Sequence, residues 1–168
     1  SEEPARSVNI LQRYAEFGLA DYKVKLSGDM ENDIRKLALL QEITQKNNIT
    51  QLRVRLDANN LWQDAETAIN NLRKLDQTVF FAIEEPLAPR QFDGLSAVSL
   101  ALDKPVILDE SLCTSEDLNK VSGYSGKFIA NLKVSRVGGI QRGLALADAI
   151  VELGWPIVVG AHVGETSV

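Results

Sequence analysis

The chain has 168 residues, 45% hydrophobic and 24% charged, with a formal net charge of −5. That supports one domain with a sizeable core, excludes a disordered chain, and leaves no apolar run approaching a membrane span. The acidic balance argues against a nucleic-acid partner, and the lone Cys113, with no signal-peptide pattern at the start, fits a reducing, cytoplasmic setting. The chain opens with Ser1 and its only methionine is Met30, which points to part of a longer product.

Val8, Leu11, Tyr14 and Ala15 carry helical spacing, and Gly18 should close that helix. A β-rich run follows at Tyr22–Leu26. Ile34, Leu37, Ala38 and Gln41 then define a helical face, and a second strand is expected at Leu52–Asp57. Ala65, Ala68, Ile69 and Leu72 form the next helical face, before strands at Val79–Glu84 and Val106–Asp109. Thr114 or Ser115, followed by Glu116 and Asp117, reads as a helix start with carboxylates at its positive end. A strand at Phe128–Val134 precedes a largely apolar helix through Leu144, Ala147, Ala149 and Ile150, ended by Gly154, and Ile157–Gly160 is the last strand.

Strands joined by helices run parallel, so the fold class is α/β. No linker or low-complexity tract divides the chain. Two parallel architectures compete, an open doubly wound sheet and a closed (β/α)8 TIM barrel. The glycine group Gly138, Gly139 and Gly143 comes late and has the wrong spacing for a dinucleotide fold, and no phosphate-binding P-loop is present. The strand ends favour the barrel.

Each strand carries ionisable groups at or near its C-terminal end: Lys23 and Lys25, Asp57 with Asn59, Glu84-Glu85, Asp109-Glu110, Lys133, and finally His162. From Lys25 through Asp57, Glu84 and Asp109 to Lys133 the steps are 32, 27, 25 and 24 residues, each close to one βα unit. These groups therefore sit at equivalent heights on successive strands, at the end where barrels place their active sites. Three carboxylates from neighbouring strands repel one another unless a cation lies between them. Oxygen-only ligands favour Mg2+ first and Mn2+ second. Lys23 and Lys25 share one strand face, and two like charges so close should lower one pKa, which suits a lysine base. Arg55 shares a face with Asp57 and Asn59 and is expected to brace the carboxylates. Asn131 and Lys133 share the inward face of their strand, so Lys25 and Lys133 should approach the site from opposite sides.

Taken in order, Lys23-Val-Lys25, Asp57-Ala-Asn59, Glu84-Glu85-Pro86, Asp109-Glu110-Ser111 and Asn131-Leu-Lys133 followed by Gly138-Gly139 resemble the enolase superfamily, in its muconate lactonizing enzyme subgroup. The resemblance runs from about Gly18 to the C-terminus. It implies that Asp57, Glu84 and Asp109 bind Mg2+, that Lys25 and Lys133 are the acid/base pair, and that Lys23 tunes Lys25. It further implies that residues 1–168 are part of a C-terminal barrel, about strands two to seven, without the N-terminal α+β capping domain or strands one and eight. For Glu85 and Glu110, supporting or structural roles are expected. A related subgroup uses a seventh-strand His paired with a sixth-strand Asp, but the matching strand here carries Lys133 and no such Asp. His162 is accordingly read as a packing or hydrogen-bonding residue, with substrate contact as the second reading. Glu165 lies where related enzymes have a strand-seven acid, and its role stays open. Cys113 is expected to be inert, Trp62 to pack in its loop, and Gly138-Gly139 to make a tight turn.

The expected activity is Mg2+-dependent removal of a proton α to a carboxylate, with enediolate stabilisation. It leads to racemisation or epimerisation of an amino-acid or dipeptide derivative, or to cycloisomerisation or dehydration. The expected partner is a small-molecule carboxylate, with neither nucleic acid nor membrane involved. The open barrel edges predict a homo-oligomer or pairing with absent segments. Two alternatives are a Schiff-base lyase using Lys133 or Lys25, and a silent fragment acting only through association.

Overall fold

The computed structural model describes residues 2–161, with side chains from residue 8 onward. Its elements alternate: α1 (Glu2–Glu16), β1 (Asp21–Lys25), α2 (Met30–Lys46), β2 (Arg53–Asp57), α3 (Ala65–Leu72), β3 (Ala82–Glu84), α4 (Phe92–Leu102), β4 (Val106–Leu108), α5 (Ser115–Val121), β5 (Phe128–Lys133), α6 (Ile140–Glu152) and β6 (Ile157–Gly160). All six strands are parallel and lie in sequence order in one sheet, curled into a partial (β/α) barrel. Among the described residues β1 and β6 are its edges.

Local chemistry sets the helix ends. In α1 and α6 the chain stops helically where Gly18 (φ 75°) and Gly154 (φ 73°) adopt the left-handed conformation. The next residues, Leu19 and Trp155, then donate back to the carbonyls of Tyr14 and Ile150. Asp29 caps α2 by accepting from the Glu31 and Asn32 N–H groups, and Asp64 caps α3 through the Thr67 N–H. Thr114 and Asp117 form a reciprocal capping box at α5, so the expected helix start is borne out.

Alternation along the strands divides the interior in two. Val54, Leu56, Ile83, Val106, Leu108, Phe128, Ala130 and Leu132 face the helices and join the main core with Leu37, Leu72, Leu95, Leu118 and Ile150. Ala82, Ile107 and Ile129 point to the inside of the curl and form a small apolar plug with Phe81 and Val158. Apolar side chains on both faces of the central strands make them read as near-continuous apolar runs.

Three expectations shift. The buried face of α2 is Asp33, Leu37, Leu40, Ile43 and Thr44, while Ile34 is 47% exposed. The helix is rotated because Asp33 turns in to bind the loop after β1. In α6, Gly143, Leu146 and Ile150 are buried, whereas Leu144 is 62% exposed. The third strand begins at Ala82 rather than Val79, since the Val79 N–H is taken by a turn to the Asp76 carbonyl.

Candidate active site

Parallel register carries the charged residues to one end of the sheet. Lys23 pairs with Arg55, Lys25 with Asp57, and Asp57 with Glu84. Asp109 follows directly on β4, and Asn131 and Lys133 close β5. The ladder continues past the strand ends: Ala58 N–H donates to the Glu84 carbonyl, and Glu85 N–H to that of Ile107.

Asp57, Glu84 and Asp109 are 5%, 2% and 5% exposed, so each buried charge requires a partner. Lys23 supplies it for two of them, its Nζ lying 2.8 Å from Glu84 Oε1 and 3.0 Å from Asp57 Oδ2. Asn131 Nδ2 donates to the same Glu84 oxygen at 3.1 Å, and the Asn59 backbone N–H to Asp57 Oδ1 at 3.0 Å. At the other side Lys133 Nζ is 2.5 Å from Asp109 Oδ2, and Arg136 binds Asp109 Oδ1 and Glu110. Lys25 is more loosely placed, 3.8 Å from Asp57 Oδ2 with its side chain 73% exposed.

Burial would lower the Lys23 pKa, but its hydrogen bonds and charge contacts with Glu84 and Asp57 outweigh that and raise it. At Lys23 the carboxylates dominate because they lie within contact distance. Beside the site, burial pushes the Glu85 carboxyl up to about 7, against the pull of its bonds from Ser111 and Asp109.

Arg55 and Asn59 take places other than those expected. Arg55 makes no ion pair with the carboxylates among the described residues, where Lys23 occupies that position. Asn59 contributes its backbone rather than its side chain, with φ 47° in the left-handed region that Asn tolerates. Glu110 pairs with Arg136, and Trp62 is 9% exposed in the main core. Cys113 is half-buried and burial raises its thiol pKa, which fits inertness. His162 and Glu165 lie outside the described residues. The reading of strand ends missed Arg136, whose sequence signal is its place three residues after Lys133, in a turn closed by its own N–H to the Lys133 carbonyl.

The donor chemistry fits a hard divalent cation: three carboxylates on adjacent strands, two of which already share one cationic group, the Lys23 ammonium. Asn131 Oδ1 beside them is buried and accepts no hydrogen bond among the described residues. As the side chains stand, no three acidic, His or Cys groups converge within metal-binding reach among the described residues. Asp109 is bound instead by Lys133 and Arg136.

A curled parallel sheet with acids and lysines on its C-terminal ends defines a portion of a (β/α) barrel. Residues 6–168 match the family described as enolase C-terminal domain-like, and the chain belongs to that family. It is 34% identical to an o-succinylbenzoate synthase of Thermobifida fusca, over 99% of this chain and 48% of that protein. It is 28% identical to a D-Ala-D/L-Ala epimerase of Cytophaga hutchinsonii, over 95% of this chain and 42% of the relative. The chain therefore spans less than half the length of these relatives. The structure of a dipeptide epimerase from Enterococcus faecalis, complexed with Mg and the dipeptide L-Leu-L-Tyr, superposes with a TM-score of 0.79. That match covers 94% of this chain and 43% of the epimerase at 21% identity, and it establishes the shared fold.

Proposed function

We propose that the chain carries the catalytic groups of an enzyme that abstracts a proton α to a carboxylate. The observation behind this reading is that Lys25 on β1 and Lys133 on β5 flank three buried carboxylates, 3.8 Å from Asp57 and 2.5 Å from Asp109 respectively. Asp57, Glu84 and Asp109 would hold Mg2+, which neutralises the charge that builds on a substrate carboxylate as its α-proton leaves. Lys23 keeps Asp57 and Glu84 aligned through its two contacts. Lys25, on a long exposed stem, takes the proton from one face; Lys133, 12% exposed and oriented by Asp109, returns it at the other. Using both lysines gives epimerisation or racemisation. Cycloisomerisation or dehydration uses one as base and leaves the other as a fixed cation. The substrate class is an amino-acid or dipeptide derivative with a free carboxylate.

Isotope exchange tests this reading. In D2O with Mg2+, wild type should exchange the α-proton of a substrate from a dipeptide and N-acyl amino-acid panel. Lys25→Ala and Lys133→Ala should each lower the rate by about 10²-fold or more. Full exchange in both variants removes the lysines from the mechanism.

A further inference from the structure

We propose that Glu85 is a positioning residue that fixes the turn carrying Asp109 to the strand end carrying Glu84, and so sets the geometry of the cation site; this rests on the proposed metal reading. Glu85 is 1% exposed, and the groups around it occupy both of its carboxylate oxygens. Its Oε1 accepts the backbone N–H groups of Asp109 and Ser111, each at 2.7 Å. Its Oε2 accepts the Ser111 hydroxyl at 2.9 Å. A carboxylate so committed and so enclosed neither meets a substrate nor ligates an ion. Its work is done on the backbone.

The need for it follows from where the ladder stops. The pairing of β3 with β4 ends at Glu84 and Ile107, and the Glu85 N–H makes a last bond to the Ile107 carbonyl at 3.1 Å. Beyond that point the N–H groups of Asp109 and Ser111 have no strand partner. Buried and unsatisfied, they would destabilise the turn. The Glu85 side chain reaches across from the neighbouring strand to satisfy both, with its own backbone at φ 38°, a left-handed conformation that a residue of this kind adopts only when its surroundings hold it.

Ser111 extends the link. It is fully buried, and its hydroxyl accepts the Arg90 N–H at 2.8 Å while donating to Glu85. Arg90 in turn binds Asp117, through Nε at 2.6 Å and Nη2 at 3.2 Å. The loops after β3 and β4 are therefore tied at three levels, from Asp109 at the site to Asp117 at the start of α5. Two of the three carboxylates of the candidate cation site, Glu84 at the end of β3 and Asp109 just past β4, stand where the two loops so joined begin.

Mg2+ titration calorimetry on the 168-residue chain, with each variant first checked for native circular dichroism, tests the assignment. Glu85→Ala should weaken Mg2+ binding by about 10-fold or more, the scale for residues that orient metal ligands. Glu85→Gln keeps a carbonyl oxygen for the two N–H groups and should stay within about threefold of wild type, whereas a purely electrostatic effect of the lost charge would make it as weak as Glu85→Ala. Unchanged affinity in Glu85→Ala, or equal weakening in both variants, overturns the positioning role. If Glu85→Ala does not fold, Ser111→Ala decides: a loss of about threefold supports the role and unchanged affinity overturns it. Absence of Mg2+ binding in wild type defeats the metal reading itself, and the Glu85 role with it.

Discussion

Asp33 shows how a single residue prepares the site without touching it. Its carboxylate is 2% exposed and accepts the Ser27 N–H through both oxygens at 3.0 Å, the Ser27 hydroxyl at 2.8 Å, the Gly28 N–H at 3.1 Å and the Lys36 ammonium at 3.1 Å. The loop leaving Lys25 is thereby fastened to α2. Burial alone would raise this carboxyl, but the Ser27 bonds and the Lys36 charge outweigh it and hold the pKa below the ordinary value. Asp117 behaves alike, with Arg90, Thr114 and Cys113 overcoming burial. A depressed folded-state pKa means that the contribution to stability is complete above the unfolded value, near pH 4, and is lost as pH falls through the folded value. Asp33→Asn should therefore flatten the acid limb of a stability profile below about pH 4. It should also lower stability at neutral pH by about 2–4 kcal/mol. Urea melts between pH 2 and 7 measure both, and an acid limb as steep as that of wild type excludes Asp33 as a titrating support. None of this was visible in the spacing of apolar residues, which placed Ile34 and not Asp33 on the inner face of α2.

Among the elements, legibility followed the range of the interaction. Helix ends were readable because a cap is a bond between residues three or four apart: Thr114 with Asp117, and Gly154 with Val151. The Thr114 cap accepts the Asp117 N–H at 3.1 Å, and Thr114→Ala should destabilise the fold by about 1 kcal/mol, detectable as a lower urea midpoint with an unchanged slope. Asp117 also holds Arg90 at 2.6 Å, so Asp117→Ala should cost more than Thr114→Ala. Equal losses would mean that the Arg90 contact adds nothing. Helix faces were less readable, because a face is chosen by what it meets across the fold. Leu144 and Ile34 have core-like chemistry and helical spacing, yet both stand outward.

For the whole molecule, the decisive feature is a curled sheet whose edges β1 and β6 each have one strand neighbour among the described residues. Near β6 the outer surface is apolar: Val159 is 76% exposed, Val151 64% and Leu144 62%. An unpaired edge beside such a surface is a template for association. The 168-residue chain should form a concentration-dependent species above 18.5 kDa in light scattering, and Val159→Lys should shift it toward the monomer. A monomer at all concentrations removes the edge as an interface. No helix among the described residues is long and apolar enough to cross a membrane.

By itself the sequence determined the βα alternation, the parallel sheet and the phase that sets Lys25, Asp57, Glu84, Asp109 and Lys133 on successive strand ends. Hydrophobic period and residue type are local properties, and a parallel register carries them directly into space. The tertiary structure decided which charges meet. Lys23, not Arg55, joins Asp57 to Glu84; Arg136 joins Lys133 on Asp109; Glu85 turns from the strand end to bind the neighbouring turn. Such pairings depend on a few ångströms and on where backbone N–H groups are left without a ladder partner, and these are set only when six strands curl around one centre.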